Sequence, residues 1–139
     1  MLPILPIQEN TENSFSRVRV SEKHFRTMYL PCIKGPEFSR LNKEQQRRLF
    51  SPLRVSDHNN RVGYRLKEYL ENNLPSILTS AVMPGTVQLT PSGKCIILLQ
   101  DCQVTGGYPR ILQLSEIAIA RVSQKITGDK IQFILEDYS

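Results

Sequence analysis

The sequence predicts a mainly β domain, a barrel or sandwich carrying one or two short helices. Three observations predict it. Short β-favouring runs recur along the chain. Turn-forming clusters separate them, among them Gly35-Pro36, Asp57-His58-Asn59-Asn60, Pro84-Gly85 and Thr90-Pro91-Ser92-Gly93, with the roughly 8–12-residue spacing of all-β folds. Helix-forming patterns occur only twice.

In chain order, residues 1–16 read as an extended leader, because Pro3 and Pro6 bar a helix and the following stretch is polar. Residues 17–139 are assigned to the barrel domain. Arg17-Val18-Arg19-Val20 alternates as a strand start, and 28–34 is a strand ended by Gly35-Pro36. Ser39 is expected to cap a helix that runs to Phe50 and is stopped by Pro52. Leu53-Arg54-Val55 is a short strand, 57–60 a turn, and 62–66 the returning strand. Residues 67–76 read as a loop, 77–82 as a strand and 86–89 as another. Cys95 to Leu99 is apolar throughout, the pattern of a central strand buried on both faces. Residues 101–109 form a loop, and no element is assigned to 110–114. Ser115 caps a helix to Val122, 127–130 turn the chain, and 131–135 alternate as a last strand.

A chain of 139 residues can hold one core without staples. With 40% apolar and 22% charged residues it has an ordinary globular composition. No apolar run approaches the roughly 20 residues of a membrane helix. The N-terminus has no basic segment and is a poor signal peptide. Cys32, Cys95 and Cys102 are odd in number and lack C-x-x-C spacing, against a disulfide framework or a zinc site and in favour of a reducing cytoplasm. His24 and His58 have no ligand-spaced companions, so no metal is expected. The net charge of +5 is uneven: residues 17–67 hold 13 Lys/Arg against four Asp/Glu. These cations are dispersed and outside any nucleic-acid motif, so the reading is a solvated face or a surface for an acidic partner subunit.

The chemically richest stretch is Asp101-Cys102-Gln103-Val104-Thr105-Gly106-Gly107-Tyr108-Pro109. It leaves the end of the most apolar strand, where a rigid element positions a polar loop. Gly106 and Gly107 allow positive φ and close approach of amides to a substrate oxygen. Asp101 offers a carboxylate, Thr105 a hydroxyl, and Tyr108 a ring and a phenol. The plain alternative is a tight turn with Asp101 paired to Arg110. Arg61, after the 57–60 turn, is placed to clamp a carboxylate or phosphate, or is a surface arginine on a hairpin. Pro84-Gly85-Thr86-Val87-Gln88 is a third stretch, readable as a plain turn into a strand. Cys102 in the glycine loop is a conceivable nucleophile without a neighbouring His. There is no Walker loop, G-x-S-x-G or H-E-x-x-H.

Lys34-Gly35-Pro36-Glu37, Arg54-Val55-Ser56, Arg61-Val62-Gly63-Tyr64-Arg65-Leu66, Met83-Pro84-Gly85-Thr86-Val87-Gln88-Leu89, the run from Ile97 through Asp101 to Arg110, and Gly128-Asp129-Lys130-Ile131-Gln132-Phe133 follow one another in order. Together they resemble the second half of the allophanate hydrolase subunit 2 or biotin-dependent carboxyltransferase family, which takes in the 5-oxoprolinase C-subunit and a kinase-inhibitor antagonist. The D-x-Q-x-T-G-G-Y-P loop and the P-G-T-x-Q turn are its specific parts. Family members are about twice this length, so the chain looks like a C-terminal half lacking its first half, with residues 1–16 either a leader or the tail of the linker joining the halves. One departure is that Asn59-Asn60 stand where the family commonly has Ser-Asp before the arginine.

The resemblance implies a cyclophilin-like β-barrel, a partner subunit of related fold and a third subunit. It implies a role within an ATP-dependent amidohydrolase complex that opens the lactam of 5-oxoproline to glutamate. ATP would be used by the complex, with no nucleotide site visible in this chain. Asp101, Thr105 and Tyr108 are then the catalytic candidates. Arg61, Thr86, Gln88, Gln103, Gly106 and Gly107 are the substrate-binding candidates. The alternatives are a carboxyltransferase-type domain acting on a urea-like amide, which would need a biotinylated carrier although no Met-Lys-Met acceptor is present, and a non-catalytic regulator that binds a kinase inhibitor. Neither nucleic acid nor membrane is expected as a partner.

Overall fold

The structure, a computed structural model, describes residues 27–136. The leader, the expected strand at Arg17-Val18-Arg19-Val20 and His24 lie outside the described residues. Nine strands and two α-helices follow one another: β1 (Tyr29–Lys34), a 3-10 turn (Phe38–Arg40), α1 (Lys43–Leu49), β2 (Leu53–Asn59), β3 (Gly63–Tyr69), β4 (Ser80–Ala81), β5 (Thr86–Leu89), β6 (Lys94–Leu98), β7 (Thr105–Gly106), β8 (Arg110–Leu114), α2 (Glu116–Ser123) and β9 (Lys130–Leu135). Seven strands close a barrel in the order β1-β8-β5-β6-β3-β2-β9, and β4 pairs with β7 as a separate two-stranded arm.

Strand alternation separates the two faces of the barrel wall. Val55, Leu66, Val87, Leu89, Cys95, Ile97, Leu112, Ile131 and Phe133 are buried in one core. The intervening residues of β3, β5 and β6, including Arg65, Gln88 and Ile96, stand on the outer face. Antiparallel pairings build most of the wall, and β1 closes it by pairing in parallel with β9, Leu30 opposite Phe133. The helices sit on the barrel rather than in it. α2 packs its buried Ala118 and Val122 inward, and Ser115 caps it by accepting from the Ala118 amide at 3.3 Å.

Several boundaries differ from expectation. Asn42, not Ser39, caps the first helix. Its Oδ1 accepts from the Gln45 amide at 2.7 Å while Gln45 Oε1 accepts from the Asn42 amide at 2.8 Å, a reciprocal capping box. Residues 57–59 continue β2 rather than turning. The register shifts between Val55 and Asn59, and side-chain bonds bridge the irregular stretch: His58 N to Ser56 Oγ at 3.1 Å and Asn59 Nδ2 to Ser56 O at 2.7 Å. The turn itself is tighter. Asn60 Oδ1 accepts from the amides of Val62 (2.8 Å) and Gly63 (3.2 Å). An Asp side chain could accept the same two bonds, so the departure at Asn60 keeps the turn. β3 extends to Tyr69, and only Ser80–Ala81 of the expected 77–82 strand is formed. β8, where local pattern assigns no element, is a central barrel strand between β1 and β5.

Candidate functional site

β5 begins at a tight turn that only a particular set of residues permits. Gly85 has φ +93, and a Cβ there would lie 2.7 Å from Gln113 Nε2 and 2.8 Å from Ile119 Cδ1. Thr86 Oγ1 accepts from the Met83 amide at 3.2 Å and donates to Gln113 Oε1 at 2.9 Å. Gln113 Nε2 in turn donates to Pro84 O at 3.0 Å. The Thr86 hydroxyl is therefore committed to bracing the turn. It borders a concavity of about 450 Å3 with Met83, Arg110 and Gln113.

Two residues on, Gln88 faces outward yet is only 6% exposed, because the β4–β7 arm lies over it. Ser80 pairs with Gly106 and Ala81 with Thr105. The arm is lengthened by Val82 N to Val104 O at 3.0 Å and Ile77 N to Gly107 O at 2.9 Å. Gly106 passes so close that a Cβ would stand 2.5 Å from Gln88 Nε2. Among the described residues the Gln88 side-chain amide has no hydrogen-bond partner, and its polar atoms are not sealed from solvent.

Between arm and barrel runs a concavity of about 560 Å3 whose polar lining includes Arg65, Gln88, Gln103, Thr105, Gly106, Gly107 and Tyr108, with Val82, Ile96 and Leu98 as its apolar floor and wall. Six of the nine sequence-predicted site residues thus meet in one groove: Gln88, Gln103, Thr105, Gly106, Gly107 and Tyr108. Asp101 and Arg61 do not line it. They share a neighbouring concavity of about 420 Å3 with Asn59, Asn60, Tyr64 and Ser123. There Arg61 Nε stands 3.8 Å from Asp101 Oδ2, with side chains 92% and 59% exposed, a contact of small energetic weight. The two hollows border one another along the chain, at Arg61 and Val62 and at Leu98 and Leu99.

Arg110 does not pair with Asp101. It forms a bidentate bridge to Glu37, Nε to Oε1 and Nη2 to Oε2 both at 2.9 Å, and its Nη1 donates to Ala81 O at 3.0 Å. Glu37 Oε1 also accepts from the Arg110 amide at 2.8 Å. This pair pins the arm to the barrel. The Arg110 guanidinium holds the Glu37 carboxyl below its ordinary range, against the opposing effect of burial. Gly106 and Gly107 do not use positive φ; the glycines that do are Gly85, Gly93 and Gly128. At Gly106 the requirement is for space beside Gln88.

Burial pushes the Cys102 thiol up, which leaves it protonated and a weak nucleophile. Cys32 and Cys95 are buried and their thiols are raised to about 12, chiefly by desolvation. No group of three or more His, Cys, Asp or Glu that could hold a metal stands among the described residues. None of their helices is long and apolar enough to cross a membrane. Sequence pattern singles out Arg61 rather than Arg65 and gives Glu37 no role, whereas the structure sets Arg65 in the groove's lining and Glu37 on Arg110. The signal for Arg65 is strand alternation: it stands opposite Ile96 on the outer face, and Gln88 stands opposite Ile96 on the other side.

The fold and groove define a class: a closed, mainly β barrel with a hollow of about 560 Å3 between its outer wall and a short arm. The chain belongs to the family described as carboxyltransferase domain, subdomain A and B, whose model matches residues 1–135. It is 33% identical over 106 residues to the 5-oxoprolinase C-subunit of Escherichia coli (strain K12), covering 74% of this chain and 34% of that protein. It is 37% identical over 81 residues to the 5-oxoprolinase C-subunit of Haemophilus influenzae, covering 57% and 26%. The chain therefore spans about a third, or less, of the length of these relatives. The crystal structure of Kluyveromyces lactis urea carboxylase shares the fold with a TM-score of 0.70 at 21% identity, over 78% of this chain and 11% of that one.

Proposed function

We propose that this chain is the C-terminal barrel of a subunit in an ATP-dependent amidohydrolase complex resembling bacterial 5-oxoprolinase, which opens the lactam of 5-oxoproline to glutamate. The observation that carries the reaction is the likeness to the 5-oxoprolinase C-subunit over 106 residues. The groove beneath the arm is where the substrate would sit. Its amides and hydroxyls match a cyclic amide, which presents one carbonyl acceptor and one N–H donor. Gln88 and Gln103 would orient the lactam, and Thr105 and Tyr108 would supply hydroxyls beside its carbonyl. Gly106 and Gly107 would let the arm close on it.

The lining holds the phenol of Tyr108 but no Asp or Glu, so a carboxylate that moves a proton would come from the border. Asp101, on the loop that carries Gln103 to Tyr108, is this chain's candidate. ATP would be bound by the companions: a subunit of related fold, a third subunit, and the first half of the same protein. The complex would work in the cytoplasm, where free thiols persist.

The test is ATP-dependent glutamate release from 5-oxoproline by the full-length subunit assembled with its companions. Gln88→Leu is expected to lower kcat/KM at least about tenfold, through loss of a buried hydrogen bond to substrate. Asp101→Asn is expected to lower kcat about 100-fold, the scale of a general acid–base group. Unchanged release in both variants would leave the loop and arm as structural features. No release from the native complex would sink the reading and favour a carboxyltransferase acting on a urea-like amide with biotin, or a regulator that binds a kinase inhibitor.

A further inference from the structure

We infer that Arg65 holds a carboxylate on the substrate and that Gln88 holds the amide end of the same molecule, which makes the groove selective for a small amide bearing one carboxylate. The inference rests on the proposed function and extends it from a reaction to the recognition of its substrate.

The groove's lining contains one cation, Arg65, and no Asp or Glu. Arg65 has no acidic partner among the described residues, whereas the neighbouring Arg110 is fully engaged by Glu37. Arg65 is exposed, and with no acid in the lining its guanidinium is available to an anion. Register fixes its distance from the second anchor. Arg65 and Gln88 both stand opposite Ile96, one from each neighbouring strand. Their Cα atoms are thus separated by two strand spacings, roughly 10 Å. Both side chains rise from the same face, and their reach leaves a gap that a compact molecule a few ångströms long can bridge. Ile96 forms the apolar floor between them, suited to ring methylenes.

Gln88 is the partner for the neutral end. The residue is only 6% exposed, its amide opens on the groove without a partner among the described residues, and Gly106 confines it from above. A carboxylate suits the charged end better than a phosphate does. A phosphate dianion calls for more than one cation or a helix N-terminus, and the lining supplies neither.

The test separates this assignment from the reaction. In the assembled complex, Arg65→Met is expected to raise KM for 5-oxoproline at least about tenfold with kcat within about threefold, and Arg65→Lys to recover part of the loss. Competition by 2-pyrrolidinone, which lacks the carboxylate, is expected to be equal in native and Arg65→Met complexes. An active native complex whose KM is unchanged by Arg65→Met would overturn the inference and leave the proposed function standing. If the native complex is inactive on 5-oxoproline, the proposed function fails, and the recognition is decided by nuclear magnetic resonance on the full-length subunit. N-acetylglycine is then expected to shift the Gly106 and Gly107 amides while its methyl ester does not, and Arg65→Met to abolish the shift. Equal shifts by acid and ester, no shift by either, or shifts by inorganic phosphate alone would overturn it.

Discussion

Glu37 shows how one residue can serve the site without entering it. Its carboxylate takes both arms of Arg110, and Arg110 holds the Ala81 carbonyl of the arm. The side chains of Arg110 and Glu37 are only 19% and 10% exposed, so removing the charge on one side strands the other in a poorly hydrated place. Glu37→Gln is expected to cost about 3 kcal/mol at pH 7. The pH dependence has a definite sign. The Glu37 carboxyl is lowered in the folded state from its ordinary 4.5. The pair's contribution is therefore complete above that ordinary value and is lost as pH falls through the lowered folded one. Thermal unfolding followed from neutral into acid pH should show a steeper acid loss in the native chain than in Glu37→Gln. Parallel slopes would count against this role. Lys34-Gly35-Pro36-Glu37 is legible as a family motif, but its partner is not. Arg110 lies 73 residues away, and the sequence offers it the nearer Asp101 instead.

At the scale of elements, the arm is the least secured piece of the molecule near the site. β4 and β7 are two residues each, and they pair with each other outside the barrel ladder. Elements with few ladder bonds open at low free energy. Hydrogen exchange should find the Ile77 and Val82 amides, bonded to Gly107 and Val104, less protected than amides of β5 and β6. Protection equal to the barrel's would show the arm to be as fixed as the wall, and the groove permanently roofed. Local sequence predicts the strands that form for local reasons. The apolar run at Cys95 and the alternation at Ile131 fall in strands, and Ser115 caps its helix. Asn42 is hidden in the sequence because Ser39 is an equally good cap by composition, and only the reciprocal bond with Gln45 decides between them. β8 is hidden because the glycine loop before it dominates the local chemistry. Yet Ile111, Leu112 and Leu114 are buried and carry an apolar strand pattern.

The whole molecule is held closed by the pairing of its described ends. β1 lies beside β9 in parallel, with Leu30 opposite Phe133, both buried in the core. The contact joins segments about a hundred residues apart in sequence, so loop-closure entropy must be overcome before it forms. Phe133→Ala is expected to destabilise the chain by about 3–5 kcal/mol, the range for emptying an aromatic site in a packed core. Urea unfolding measures it. A loss below about 1 kcal/mol would mean that the barrel does not depend on this seam. Because the groove stands on the outer wall between β3, β5 and β6, a weakened seam would reach it only through the barrel's global stability.

The sequence by itself determined the mainly β class, both helices and the family, because strand alternation, turn residues and short motifs are written locally. It also named most of the groove: Gln88 from the P-G-T-x-Q turn, and Gln103, Thr105, Gly106, Gly107 and Tyr108 from the loop. Only the tertiary structure decided how these residues divide. It committed Thr86 to its own turn, set Asp101 beside Arg61 in a separate hollow, and brought Arg65 into the groove. Those outcomes depend on which strands are neighbours and on which face each residue stands. That is settled by register across a closed barrel, and register is a property of the assembled sheet rather than of any one segment.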